Sequence, residues 1–234
     1  MVGAGLVAMG CGGSKAPAKD AKQKYAEGDY KTAAKLYAQA CDAGNGDSCT
    51  RLGTMLLSGK GVDQNDAEAV KRFEQGCDAR DPLGCLSAGY AYSRGEAVER
   101  DDDRATKAFD KGCKLKHVGS CTEYAVSLWR GRGVAKDPVR AKDMLADNCK
   151  KNNAAACFNL GVLIRMGEPG VEKNAKHAMA ILDKACKLDA AEACAYLKKH
   201  RAALEREATQ PTPPEATEAG EAEEPDSEGG DAKE

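Results

Sequence analysis

The side chains best suited to covalent or metal chemistry are cysteines, and their spacing is regular. Ten of the eleven form five frames of the pattern C-x7-C: Cys41 with Cys49, Cys77 with Cys85, Cys113 with Cys121, Cys149 with Cys157, and Cys186 with Cys194. Three chemistries compete for such pairs. Zinc sites take cysteines two to four residues apart, often with histidine, and the wider gap fits them poorly. Dithiol catalysis uses C-x-x-C, which is absent. Free buried thiols would suit a reducing compartment, but five matched pairs argue for structural disulfides.

Other reactive side chains are scattered. His117, His177 and His200 stand in different units, no His-Cys-Asp cluster at ligand spacing forms around any of them, and each is expected as a lone surface histidine. Asp101-Asp102-Asp103 lacks the glycine and distal glutamate of a calcium loop and suits a helix start. Gly59-Lys60-Gly61 belongs to a turn that recurs along the chain, not to a phosphate loop. Neither a catalytic set, a metal site nor a cofactor is expected.

The frames also dictate the elements that must hold them. Successive frames begin 36, 36, 36 and 37 residues apart, the period of a solenoid built from one repeated supersecondary unit. Counted from the second cysteine, position +3 is Leu52, Ala88, Tyr124 and Leu160, and position +7 is Leu56, Tyr92, Leu128 and Ile164. That spacing puts an apolar stripe on one face of a helix, here called A. Position +4 is Gly53, Gly89, Ala125 or Gly161, small enough for close approach of a partner helix. Position +10 is always glycine, as expected where a helix ends left-handed.

A second helix, B, should start after the N-caps Asn65, Asp101, Asp137 and Asn174. It carries Ala69, Ala105, Ala141 and Ala178, then Phe73, Phe109, Leu145 and Leu182 four residues on. The extra residue of the last unit falls in the A–B turn, Met166 to Gly170. Each cysteine pair therefore joins the end of a B helix to the start of the next A helix. A short turn between antiparallel neighbours can bring the two Cα atoms within disulfide range. Chain entropy assigns about 2.5 kcal/mol to each bridge, so five contribute on the order of 10 kcal/mol if additive, comparable to a domain's net stability. A first helix from about residue 19 to 28, with Tyr25 in the A role, precedes a B helix containing Ala34 and Tyr37, and a charged helix from Ala195 to Arg206 caps the end.

The run C-x-x-L-G-x-x-L-x-x-G-x-G-V-x-x-[ND]-x-x-x-A-x-x-x-F, read from Cys49 to Phe73, resembles a Sel1-like repeat. With its paired cysteines the chain is similar to the Helicobacter cysteine-rich (Hcp) branch of that family. The resemblance implies an all-α fold, an α/α superhelical solenoid related to tetratricopeptide (TPR-like) repeats, with a disulfide at each junction. It also implies, through some Hcp-like proteins, penicillin binding or a weak β-lactamase activity. The serine enzymes of that class use S-x-x-K, S-D-N and K-T-G. Here no serine has lysine three residues on, S-D-N is absent, and Lys31-Thr32-Ala33 replaces the glycine. Enzyme is thus the minority expectation.

The termini differ from the repeats. Residues 1–18 are apolar up to Gly10-Cys11 and then rich in Gly, Ser and Lys, similar to a bacterial lipoprotein signal with Cys11 as the lipidated residue and a tether after it. Ala8 stands where that signal usually has leucine. Residues 19–207 are the repeat domain, and 208–234 form an acidic tail of Thr, Pro, Glu, Ala and Gly with little to bury, expected to be disordered. From Glu205 onward the net charge is −9, so residues 1–204 carry +7. With 5% aromatics and no interleaved basic-aromatic surface, the chain does not look like a nucleic-acid binder. The cysteines place it in an oxidising compartment: exported, and periplasmic, anchored to the outer membrane as a lipoprotein, or secreted. Membrane contact is expected only through the lipid.

What remains is a surface. In tetratricopeptide-type superhelices, which this chain resembles, positions +1, +5, +8 and +9 of helix A line the concave side. They are Leu86, Tyr90 and Arg94, then Val126, Trp129 and Arg130, then Phe158, Val162 and Arg165. Aromatic and arginine side chains are common interface anchors, although Trp129 would serve equally as a lid over the adjoining turn. The leading expectation is a non-catalytic, monomeric scaffold holding a protein or peptide partner in this groove. Binding or slow hydrolysis of a β-lactam is one alternative. The other is an assembly factor in an oxidising compartment, like the Sel1-repeat proteins of the mitochondrial intermembrane space.

Overall fold

The computed structural model describes residues 15–209. Among them the chain forms eleven α-helices in antiparallel pairs, with one isolated β-bridge, Glu168 to Val171. The B helices are α2 (Tyr30–Asp42), α4 (Asp66–Asp78), α6 (Asp102–Lys114), α8 (Pro138–Lys150) and α10 (Ala175–Lys187). The A helices are α3 (Gly46–Ser58), α5 (Pro82–Arg94), α7 (Val118–Arg130) and α9 (Ala154–Met166), preceded by α1 (Lys15–Ala26) and followed by α11 (Ala191–Thr209). Each helix packs mainly on its sequence neighbours, so the assembly is a solenoid.

Why the helices start where they do is local chemistry. Asn65, Asp101, Asp137 and Asn174 each accept a hydrogen bond from the backbone N–H three residues on, as their positions predict. The A helices have caps of their own, four residues after the first cysteine. Asn45, Asp81, His117 and Asn153 each accept from an N–H in the first turn, His117 through Nδ1. His117 is thus a helix cap, not an idle surface group. The first helix runs Lys15–Ala26 rather than from about residue 19 to 28. Gly28 turns left-handed, with φ 86°, and Asp29 already caps α2.

The ends are equally specific. Gly59, Gly95 and Gly131 close α3, α5 and α7 in the left-handed conformation. Gly167 keeps a positive φ but its ψ is 150°, because the extra residue of this turn builds the Glu168–Val171 bridge. At the third residue after the first cysteine all five B–A turns need positive φ. Gly44 supplies it in the first, whereas Arg80, Lys116, Asn152 and Asp189 adopt it in the others. A side chain with a Cβ pays roughly 1–2 kcal/mol there, so the junction must be held by something stronger.

That something is covalent. All five frames are closed as Cys41–Cys49, Cys77–Cys85, Cys113–Cys121, Cys149–Cys157 and Cys186–Cys194, with Cα–Cα separations between 4.4 and 4.8 Å. Beneath the bridges runs a continuous core. The +3 and +7 residues of helix A are buried except for half-buried Leu56, and so are all eight B-helix residues of the repeated pattern. Each buried Phe or Leu stabilises by roughly 1.5–3 kcal/mol. The +4 position explains its own size: a Cβ on Gly53 would stand 2.7 Å from Cε1 of Phe73, and one on Gly161 2.6 Å from Cγ of Leu182.

Two outcomes follow from this packing. Gly161→Ala should destabilise the protein by about 1–3 kcal/mol, because the methyl can fit only by displacing Leu182, and denaturant unfolding would show it. Under graded reduction, Cys113–Cys121 and Cys186–Cys194 should open first, since all four of their cysteines are half-buried whereas Cys85 and Cys157 are fully enclosed. Differential alkylation with mass mapping reads that order directly.

Candidate protein-binding groove

The two faces of the rod differ in how tightly successive helices meet. Between B helices lie wide hollows: 710 Å³ between α4 and α6, floored by Ala88 and Tyr92, and 530 Å³ between α8 and α10, floored by Leu160 and Ile164. Between the A helices α3 and α5 the hollow is 290 Å³, with Val70 and Phe73 as its floor. Successive A helices also touch one another more than successive B helices do. Thr54, Leu57, Tyr90, Ala91 and Arg94 line the walls of the hollow between α3 and α5, and Asp66 and Glu96 stand at its edge.

The nine residues expected to line this face do not form one class. Leu86 and Phe158, at +1, are half-buried against the next A helix: Leu86 reaches the start of α7, and the Phe158 ring meets Tyr196 edge-on at 5.8 Å. Tyr90 is half-buried and its hydroxyl donates to Glu123 of α7, at 2.8 Å. Val126 and Val162 are half-buried, Val162 packed against the core. Trp129 corrects the expectation of a groove anchor. It is only 4% exposed, and its indole N–H donates to Glu168, 3.2 Å away in the A–B turn of the next unit. The tryptophan is the lid over that turn, so its surface is already spent on packing.

The arginines are what the face presents. Arg94 and Arg130 are exposed in the last turns of α5 and α7, where the negative end of the helix dipole favours a cation. Each lies over an aromatic ring of its own helix, Arg94 at 4.9 Å from the Tyr90 centroid and Arg130 at 5.3 Å from that of Trp129. The third member, Arg165, is partly covered. It donates to the Tyr196 hydroxyl at 2.7 Å and to Glu207 at 3.1 Å, both from α11, which runs longer than the other A helices. Beside it, Lys136 pairs with Glu168 at 2.8 Å, so the turn after α9 is tied to the turn after α7.

A set of contacts between units was not anticipated. Thr50 and Thr122, at +1 of α3 and α7, bond to Asp81 and Asn153, the caps of the next A helices, and buried Asn148 donates to the Thr122 hydroxyl. The recurrence of Asn or Asp four residues after the first cysteine was the available signal for these caps. Nothing in the sequence told that they also bridge units. Among the described residues no group of His, Cys, Asp and Glu is placed to hold a metal ion. No helix there is long and apolar enough to cross a membrane. Cys11 lies outside the described residues.

The family model of the Sel1 repeat matches residues 23–45, 46–81, 82–117, 119–146 and 154–189, most of the chain. The chain belongs to the Sel1 repeat family. This Sel1 repeat protein shares its fold with a Sel1 repeat protein from Oxalobacter formigenes, at 24% identity and a TM-score of 0.67 over 78% of this chain and 74% of that one. A protective antigen present in uropathogenic Escherichia coli strains, displaying an SLR fold, is 25% identical with a TM-score of 0.74. It matches over 82% of this chain, but this chain spans only 43% of that protein. The Helicobacter pylori cysteine rich protein B is 22% identical over 65% of this chain and 100% of its own, with a TM-score of 0.43. No curated protein gives a significant match.

Sel1 repeat proteins are typically protein-interaction scaffolds, and the five disulfides of this one suit an oxidising, exported setting. Two phenols report on the integrity of its two faces. Burial, and then the Glu74 carboxylate that accepts its hydrogen bond, pushes Tyr92 up to about 12. Burial and Glu123 push Tyr90 the same way. A tyrosine in the unfolded chain ionises near 10, so below that pH these groups leave stability unchanged. Between about pH 10 and about 12 the unfolded chain loses its proton first and stability falls. Alkaline denaturation with phenolate absorbance should show this window, and Tyr92→Phe should make the fall shallower.

Proposed function

We propose that this chain is an exported, non-catalytic scaffold that holds a protein or peptide partner against the inner wall of its A helices. The observation that supports this most directly is the pair Arg94 and Arg130. Both are exposed, both rest on aromatic rings, and among the described residues neither has a carboxylate within ion-pair reach. A guanidinium held in place by a ring, with its N–H groups open, is prepared to bind carboxylates or backbone carbonyls at little entropic cost. Leu57, Ala91 and Ala97 provide apolar surface beside it in the hollow between α3 and α5.

Leu86, Tyr90, Val126, Phe158 and Val162 contribute to the shape of this wall and offer its partner only their outer edges. Trp129 holds the turn behind Arg130 in position. Arg165 belongs to the same row, at the end closed by α11. Lipidation of Cys11 would anchor the scaffold to a membrane surface, with the stretch after Cys11 as the tether of a monomeric rod.

The test is a double variant of exposed groups, Arg94→Glu with Arg130→Glu. Crosslinked complexes recovered from the exported fraction with the unmodified protein should be reduced at least tenfold with the variant. The melting temperature should fall by only a few degrees, since each site loses a helix-end and a ring contact of roughly 1 kcal/mol in total, and circular dichroism should show the variant still folded. Undiminished capture by a folded variant would remove the arginine wall as the binding surface.

A further inference from the structure

The arginine row has a candidate occupant within the chain. Arg94, Arg130 and Arg165 occupy the last turns of three successive A helices, so they lie along one edge of the rod. The member nearest the C-terminus is already engaged by the C-terminal segment: Glu207 of α11 pairs with Arg165 at 3.1 Å and with Lys173 at 3.5 Å. One repeat back, Arg130 and Arg132 are exposed and, among the described residues, without a carboxylate partner. Residues 210–234, which follow directly, carry nine acidic side chains and one lysine.

We infer that the acidic tail, from Glu215 onward, docks on Arg130 and Arg132 and runs toward Arg94, continuing the line that Glu207 and Arg165 begin. Reach and charge both agree with this. Glu215 is six residues past Thr209, and an extended chain covers about 3.3 Å per residue, or roughly 20 Å. Counting on to Glu224, fifteen residues past Thr209, extends that reach to roughly 50 Å, enough to pass α9 and arrive at the end of α7. Glu218, Glu221, Glu223 and Glu224 come next. In the turn after α7 Lys136 is already paired with Glu168, Asp137 caps α8 and Asp102 lies near Arg132, so the exposed Arg130 is the most open cation there; Asp66 and Glu96 flank Arg94. Attachment therefore centres on Arg130, supported by Arg132, and is weakest at the far end. Intramolecular linkage makes even modest attraction count, because a tail tethered within reach has an effective concentration in the millimolar range. An outside partner of the groove would have to displace it.

The experiment uses the full chain in two forms, unmodified and with Glu215, Glu218, Glu221, Glu223 and Glu224 each changed to Gln. A fluorescently labelled synthetic peptide of residues 210–234 is titrated into each at low ionic strength. It should bind the neutralised chain at least tenfold more tightly than the unmodified chain, whose own tail fills the site. Adding Arg130→Ser and Arg132→Ser to the neutralised chain should weaken the peptide at least tenfold while circular dichroism shows the chain still folded. Lys107→Ser, an exposed charge on a B helix, should leave it unaffected. Equal affinity for the unmodified and neutralised chains, no binding to the neutralised chain, or equal losses with the Lys107 control would each overturn the inference. Sedimentation that finds an unmodified dimer and a neutralised monomer would also overturn it, assigning the site to the tail of a second copy. None of these readouts requires an outside partner, so they stand apart from the capture experiment on the groove.

Discussion

The bond between the two sulfurs of each frame is the constraint on which the rest of the rod depends. It closes a loop whose ends must sit 4.4–4.8 Å apart, so the end of one B helix and the start of the next A helix cannot separate. A solenoid has no contacts between distant units to hold it, and its stability is a sum of neighbour terms. Placing a covalent link at every neighbour junction stiffens the weakest point of that architecture. It also lets the junction use Arg80, Lys116 and Asp189 at positive φ, positions that glycine would otherwise have to fill.

The second level of organisation is the division of labour between faces. Small residues at +4 let the Phe or Leu of each B helix lie flush on its A helix, while hollows remain between α4 and α6 and between α8 and α10. Side chains on the inner wall then have two competing demands. Tyr90, Phe158 and Trp129 answer the demand for packing between units, through Glu123, Tyr196 and Glu168. The arginines, whose charge resists burial, remain outside. On the proposed reading, recognition falls to charged groups held on aromatic supports, and the acidic C-terminal residues supply charge of the opposite sign within the same chain.

The fold was largely legible in the residue order, for physical reasons. A period of 36 residues, apolar positions spaced for a helical face, caps before each B helix and a closing glycine after each A helix are all local rules, and local rules need no tertiary knowledge. The caps of the A helices were legible too, since Asn or Asp recurs four residues after the first cysteine. His117 hid the pattern in the third unit, because imidazole is an uncommon cap. The conformation of Gly167 was not legible, since it depends on a bridge that one inserted residue makes possible.

Sequence alone determined the repeat, the pairing of ten cysteines and the buried stripe of each helix, because each follows from spacing along a single element. Tertiary structure decided which inner-face residues stay available. Whether Trp129 is an anchor or a lid turns on Glu168, 39 residues away, and whether Arg165 is open turns on how far α11 extends. Exposure is a property of what the neighbouring unit leaves uncovered, and no spacing within one unit encodes it.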